Sequence, residues 1–277
     1  VEPRKYRLLE LATYGYCSMQ YHLRFGLKLP WVAASPEVAF AAVTRETVRE
    51  YFRCLGVREL RQRARKNMEG VLDRGLDLIA KHFRNVAIRR RKFDLILAMR
   101  DAESVFHPGR DTPVGFDVKT TVGVPSDETI LVEGALDFVM WRHAGTPLET
   151  AVGFSFVNLD DPLEDLVNIE PIKGGFGIMA MRSGHGYDVM ALHETIPLMR
   201  PKKKFGTAKL RTAAFTSFVR AADRGIRNRA FIPQSSPTKC EHCPYRPVCS
   251  PSLAEATSLD WKPEAEDPFV SWPEFNR

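Results

Sequence analysis

Apolar residues recur at helical spacing through the first third of the chain. Tyr6, Leu9, Tyr16, Tyr21, Leu23 and Phe25 mark one side of a predicted helix over 5–27. Ser35-Pro36 reads as a helix start, with serine as N-cap and proline at the first position, and Val43, Val48, Phe52 and Leu55 continue that helix. Met68, Val71, Leu72, Leu76, Ile79 and Phe83 carry a third helix, with charges between them. The period then changes. Residues 86–99 hold Phe93-Asp94-Leu95-Ile96-Leu97, a predicted strand; 107–113 form a turn, and 114–122 a second strand. Helical spacing returns over 128–143 through Leu131, Ala135, Phe138, Val139 and Arg142, and Gly145-Thr-Pro147 ends it. Residues 151–157 read as a third strand, 166–172 as a fourth, 173–187 as a Gly-rich exposed loop, and 207–225 as a helix.

Helices first, then strands with helices between and after them, predict an α/β fold with a mixed central sheet flanked by helices. We expect one domain over 1–250: a helical section at about 5–85, a sheet core at about 86–172, and a C-terminal helix with a cysteine segment at about 190–250. An acidic, proline-containing extended tail follows at 251–277.

Charge sharpens this picture. The net charge is +6, but the tail holds six acids and two bases, which leaves +10 on residues 1–250. So basic a body points to a polyanionic partner. Lys202, Lys203, Lys204, Lys209 and Arg211 form its densest basic stretch, and Arg220, Arg224, Arg227 and Arg229 follow on the last helix. No stretch of about 18 apolar residues is present, so no membrane span is expected. The first residues lack the apolar core of a secretory signal, so the expected location is cytoplasmic, or virion-associated for a phage protein.

Three of the five cysteines, Cys240, Cys243 and Cys249, lie within ten residues, and Cys17 lies 223 positions before the first of them. An odd, clustered set argues against a disulfide scaffold and for metal-bound thiolates. Thiolates suit both zinc and iron–sulfur centres, and His242 offers zinc a local fourth ligand. Cys54 is left over, and its place in a helical pattern predicts a buried free thiol.

The segment Tyr14-Gly-Tyr-Cys17-Ser-Met-Gln-Tyr21-His-Leu-Arg-Phe25, with Phe231-Ile-Pro233 and Cys240-Glu-His-Cys243-Pro-Tyr-Arg-Pro-Val-Cys249, resembles the iron–sulfur members of the PD-(D/E)XK nuclease superfamily, including AddB-type and RecB-like nuclease domains and CRISPR-associated adaptation exonucleases. The resemblance spans roughly residues 6–250. It implies a 4Fe–4S cluster on Cys17, Cys240, Cys243 and Cys249, stapling remote segments. It also implies a Mg²⁺ or Mn²⁺ site held by two carboxylates on adjacent strands, with a lysine two residues after the second. Asp117-Val-Lys119 supplies that second motif, Asp94 the first carboxylate across a hairpin, and the Val118 carbonyl a further ligand. Asp117 and Lys119 are expected on one face of their strand.

A rival alignment places the family's Gly-x-x-Asp motif at Gly134-Ala-Leu-Asp137 and makes Asp137 the ligand. The following strand, 151–157, then carries no acid–lysine pair. Where family members often have a metal-binding histidine, the early helix has Arg45, Glu46 and Glu50. Where they have Gln-x-x-x-Tyr, Glu133 to Asp137 differs at both positions. The functions implied are a metal-dependent deoxyribonuclease acting on single strands or duplex ends, or a catalytically degenerate DNA-binding or structural subunit of a recombination or phage assembly. DNA is the expected partner, and the acidic tail is a second surface for a protein partner.

Overall fold

A computed structural model describes residues 2–32, 35–57, 60–84, 86–103, 106–107, 110–125, 127–158, 170–183, 191–198, 208–249, 256 and 258–259. Strand β1 is Arg4–Arg7 and helix α1 is Leu8–Tyr16. Helices α2 (Pro36–Gly56), α3 (Ala64–His82) and α4 (Ile88–Glu103) follow. Then come strands β2 (Asp111–Val124), β3 (Asp127–Arg142) and β4 (Thr150–Asn158), helix α5 (Gly175–Ser183), strand β5 (Ala191–Leu198) and helix α6 (Ala208–Arg227). The protein is thus α/β, with a five-stranded mixed sheet.

The register explains how the sheet is laid out. β2 runs antiparallel along one edge of β3, from Asp111↔Arg142 to Val124↔Asp127. The other edge of β3 is shared. β1 runs parallel to it over Ile130–Glu133, and β4 antiparallel to it over Phe138–Arg142. β5 adds to β4 in parallel. Among the described residues, 134–137 of β3 have no strand alongside on the shared edge.

Helices cover both faces. α2, α3 and α4 bury Phe52, Met68, Leu72, Ile79 and Leu95 against Phe138, Met140, Val152 and Phe154. α1, α5 and α6 bury Leu11, Phe176, Phe215 and Val219 against Val122, Val132, Leu136 and Val139. As expected, α2 starts at Ser35, whose hydroxyl accepts from the Val38 amide, with Pro36 next.

Several expected elements are different in kind. The strand expected at 93–97 is the middle of α4, because Ile88, Leu95 and Ile96 recur at helical spacing and pack on the first layer. The helix expected over 128–143 is β3. Its hydrophobic alternation changes phase near its centre, and the break imitates a helical period. The 5–27 segment begins as a sheet strand, and its helix stops at Cys17, which is extended with φ −160°. The 173–187 loop holds α5, while 184–187 lie outside the described residues. Of the strand expected over 166–172, residues 170–172 belong to a single helical turn, Glu170–Gly174, and the rest lie outside the described residues. β5 has no counterpart in the expectation.

Candidate cysteine centre and carboxylate site

Cys17 interrupts a helix that would otherwise continue, its amide bonded to the Thr13 carbonyl and its carbonyl accepting from the Tyr21 amide. The C-terminal segment reaches it in a chain of short elements. Ser236 caps the helical turn Pro237–Glu241, which carries Cys240, and the Cys243 amide donates to the Cys240 carbonyl at 3.3 Å. A 3₁₀ turn, Arg246–Val248, then delivers Cys249.

Polar contacts tie the two termini together on every side. The Ser18 hydroxyl exchanges 2.9 Å bonds with the Ile232 carbonyl and amide. Tyr14 Oη donates to the Ala230 carbonyl, and Lys239 Nζ reaches the Tyr16 carbonyl and ring face. Beneath them, Met19, Leu23, Leu29, Phe231 and Tyr245 form a third apolar cluster, on which Cys17 and Cys243 pack. Tyr245 Oη donates to the Leu29 carbonyl, and the His22 and Phe231 rings stack at 4.5 Å.

The four thiols share this neighbourhood. Burial pushes the Cys243 thiol up to about 12, and the nearby Cys17, Cys249 and Cys240 add to the rise. Cys249 is also raised, by burial and then by Cys17 and Cys240. Without a cation, the thiolates these groups would form are therefore disfavoured; a bound metal centre reverses that balance. Cys17, Cys240 and Cys243 are partly buried and Cys249 is exposed; four sulfur donors of this kind would suit an iron–sulfur cluster by their chemistry. Among the described residues, no group of three or more His, Cys, Asp or Glu is set for a single metal ion. His242 turns its Nδ1 to the Ser35 hydroxyl at 2.8 Å, at the start of α2. Cys54 is a free, buried thiol, as expected, held by Asn67 and Glu50.

The expected carboxylate site is rearranged. Asp94 lies on α4, so no hairpin joins it to Asp117; its side chain is outside the described set. Asp117 sits on β2 with φ 51°, a left-handed backbone that L residues other than Asn, Asp and Gly seldom adopt. Alternation breaks there. Phe116 and its register partner Phe138 pack into the α2–α3 layer, whereas Val118 and its partner Leu136 pack against the opposite layer. The break removes the period-two argument that put Asp117 and Lys119 on one face. Lys119 is exposed, and Val118 is a ladder residue opposite Leu136.

Asp117 is instead engaged by α2. Arg49 Nη2 lies 2.6 Å from its Oδ1, with the guanidinium over the Phe116 ring. Glu46, one turn earlier, has a raised pKa, from desolvation first and from Glu50 and Asp117 among its neighbours, with Arg49 opposing. Its Oε2 is buried without a hydrogen-bond partner among the described residues. Glu50 is committed to Arg53 through two 2.6 Å contacts.

No family profile matches this chain, and no curated protein matches it.

Asp137 belongs to β3, at the point where its pairing with β4 stops. Continuing the Phe138↔Phe154 register brings Asp137 level with Ser155. Gly134, three residues before it, leaves room for Phe176, whose Cζ would stand 2.7 Å from any Cβ placed there. Arg49 was not singled out from sequence. Its neighbours at three and four positions along the helix, Arg45, Glu46, Phe52 and Arg53, are mostly charged, so the spacing gives little sign of a buried arginine. Of the basic candidates, Arg211 is 8% exposed and its guanidinium packs against Gly174. Lys202, Lys203 and Lys204 lie outside the described residues, as does the Lys209 side chain. No helix among the described residues is long and apolar enough to cross a membrane.

Proposed function

We propose that this chain is a nucleic-acid-binding member of the iron–sulfur PD-(D/E)XK group whose hydrolytic centre has been given over to an internal ion pair. A 4Fe–4S cluster on Cys17, Cys240, Cys243 and Cys249 would staple its termini. It would serve as a DNA-binding or structural subunit of a larger recombination or phage assembly, with the 251–277 tail offered to a protein partner.

The single observation that carries this reading is the Arg49–Asp117 pair at 2.6 Å. A guanidinium already neutralises the carboxylate that would have to hold a divalent cation. Two further observations agree. Asp94 is on a helix, and β4 brings Ser155, Phe156 and Val157 where the alternative alignment needs an acid and a lysine. The basic body supplies affinity for phosphate.

One observation favours an active nuclease. Glu46, with an unbonded buried oxygen, faces the Asp117 carboxylate closely enough to feel its charge. If Arg49 swung away, Glu46 and Asp117, with Asp137 on the adjoining strand, would offer hard oxygen ligands suited to Mg²⁺ or Mn²⁺.

The test is a DNA-binding and Mn²⁺-dependent cleavage assay on anaerobically purified protein, alongside Asp117→Ala and Lys119→Ala variants and an iron and acid-labile sulfide analysis. The expected result is a brown protein that binds DNA and shows only the trace cleavage the two variants share. Cleavage abolished by either substitution establishes the nuclease instead. Stoichiometric zinc without iron removes the cluster.

A further inference from the structure

The outer face of α6 is sorted by charge. The helix carries five basic residues and one acid. That acid, Asp223, is 3% exposed and turned inward, where it meets Arg4 Nε at 2.8 Å, Tyr6 Oη at 2.9 Å and Arg227 Nε at 3.2 Å. Phe215, Val219 and Ala222 bury the inner side of the helix against the sheet. What remains outside is a groove of about 1090 Å³ between α6, the end of α5 and the β2–β3 turn.

Its lining includes Arg182, Arg220, Arg224, Thr216, Ser217 and Asn228, and no carboxylate among the described residues. Arg220 is anchored, donating to the Pro125 carbonyl at 2.6 Å. Arg182 and Arg224 are exposed and make no ion pair among the described residues. Thr212, Thr216, Arg220 and Arg224, with Asn228 just past the helix end, follow at every fourth position and form one inclined ridge, with a hydrogen-bond donor about every 6 Å of axial rise. The small side chains of Ala213 and Ala221 beside that ridge keep the floor low enough for close approach.

We infer that this groove is a track for the sugar–phosphate backbone of single-stranded nucleic acid, with Arg182 and Arg224 as its free phosphate contacts. Resting on the nucleic-acid-binding reading above, this inference assigns the surface and strandedness. One ridge of donors fits one backbone, with a spacing comparable to the phosphate separation of an unstacked strand; a duplex presents two backbones. Guanidinium groups pair with phosphate in a bidentate way, and the hydroxyls add neutral donors between them.

Fluorescence anisotropy with a labelled oligothymidine, repeated across salt concentrations, tests this on the full chain. The double variant R182A/R224A is expected to bind about tenfold more weakly, with the salt slope reduced by about 1.4 for two lost phosphate contacts. Both side chains are exposed, so its thermal stability should match the parent. A control variant, R84A/R90A, alters exposed arginines before and at the start of α4 and should bind like the parent. Ser217→Cys carrying a photocrosslinker should attach to the strand. Parent-like affinity and salt slope in R182A/R224A, without crosslinking, overturn the track while leaving the DNA-binding reading intact. No binding by the parent overturns both. Displacement of the crosslink by polyglutamate but not by excess oligothymidine overturns it in favour of an acidic protein partner.

Discussion

Arg49 and Asp117 meet across the α2–β2 interface with 8% and 21% of their side chains exposed, and the aspartate does so from a left-handed backbone. A residue in that conformation breaks the sheet alternation, and the arginine fixes where its carboxylate points. Removing one partner of a largely buried pair leaves the other uncompensated. Arg49→Met should therefore cost about 3 kcal/mol in urea unfolding, the low end for such pairs because Asp117 keeps some water. The double variant R49M/D117N should recover part of that loss. A single-variant cost under about 0.5 kcal/mol would show that the pair behaves as a surface one.

The same backbone ranks substitutions at residue 117. Asn tolerates a left-handed φ because its short polar side chain can bond the local backbone, whereas the β-branched Val only adds crowding there. Both lose the charge. Asp117→Val should thus unfold at lower denaturant than Asp117→Asn, by about 1–2 kcal/mol. Equal stabilities would mean that β2 relaxes into regular alternation once the aspartate is gone.

Glu46 sets a pH dependence with a definite sign. Burial raises its pKa above the ordinary 4.5. The folded state therefore holds the proton more tightly than the unfolded chain. The stability Glu46 contributes is complete below about pH 4.5 and is lost as pH rises through its folded pKa. Glu46→Gln removes the titration. The variant should gain on the parent above pH 4.5 and lose that advantage below it, in melting temperatures measured across pH. A parent–variant difference independent of pH would place Glu46 in a solvated setting.

Sequence reasoning reached the helical layers more surely than the sheet. α2, α3 and α6 have one apolar face each and were legible from spacing, and so was the cap at Ser35. β3 was not, because its inward set runs Ile130, Val132 and Leu136 toward one layer and then Phe138 and Met140 toward the other. A strand with a phase break has no clean period of two. α4 failed in the opposite direction: Phe93 to Leu97 is a compact apolar run, and only Ile88, seven residues before Leu95, reveals the helical face. The cysteine spacing pairs the two terminal segments, and Cys17 and Cys243 do pack on one apolar cluster. The Arg49–Asp117 pair was not legible, since it depends on a 68-residue separation that only the packing of α2 on the sheet closes.

The α5–α6 contact rests on a glycine. A Cβ at residue 175 would stand 2.7 Å from the Arg211 carbonyl and collide with Phe215. Backbone cannot move aside as a flexible side chain can. Gly175→Ala should cost about 1–3 kcal/mol, the range of overpacking, in spite of alanine's better helix propensity. A stabilised variant would mean that α5 shifts freely along α6.

The cysteine set predicts a contrast that packing alone cannot produce. Cys17 is only half-buried, so replacing its sulfur by oxygen removes little apolar contact. In metal-free protein, Cys17→Ser should cost less than about 1 kcal/mol. In protein loaded with the proposed cluster the same substitution would unlink segments 223 residues apart. Long-range cross-links of that kind contribute about 4 kcal/mol or more by limiting the unfolded chain, and a metal centre adds its own binding energy. Cys54→Ser is the internal control, since Cys54 is fully buried and bonded to Asn67 and Glu50. It should lower stability equally with and without the cluster and leave iron content unchanged. Melting temperature and iron per chain, each measured before and after chelation, separate the two. Equal costs for Cys17→Ser in both states, with iron retained, would show that Cys17 is a packing residue and that the polar and apolar contacts between the two segments hold them without it.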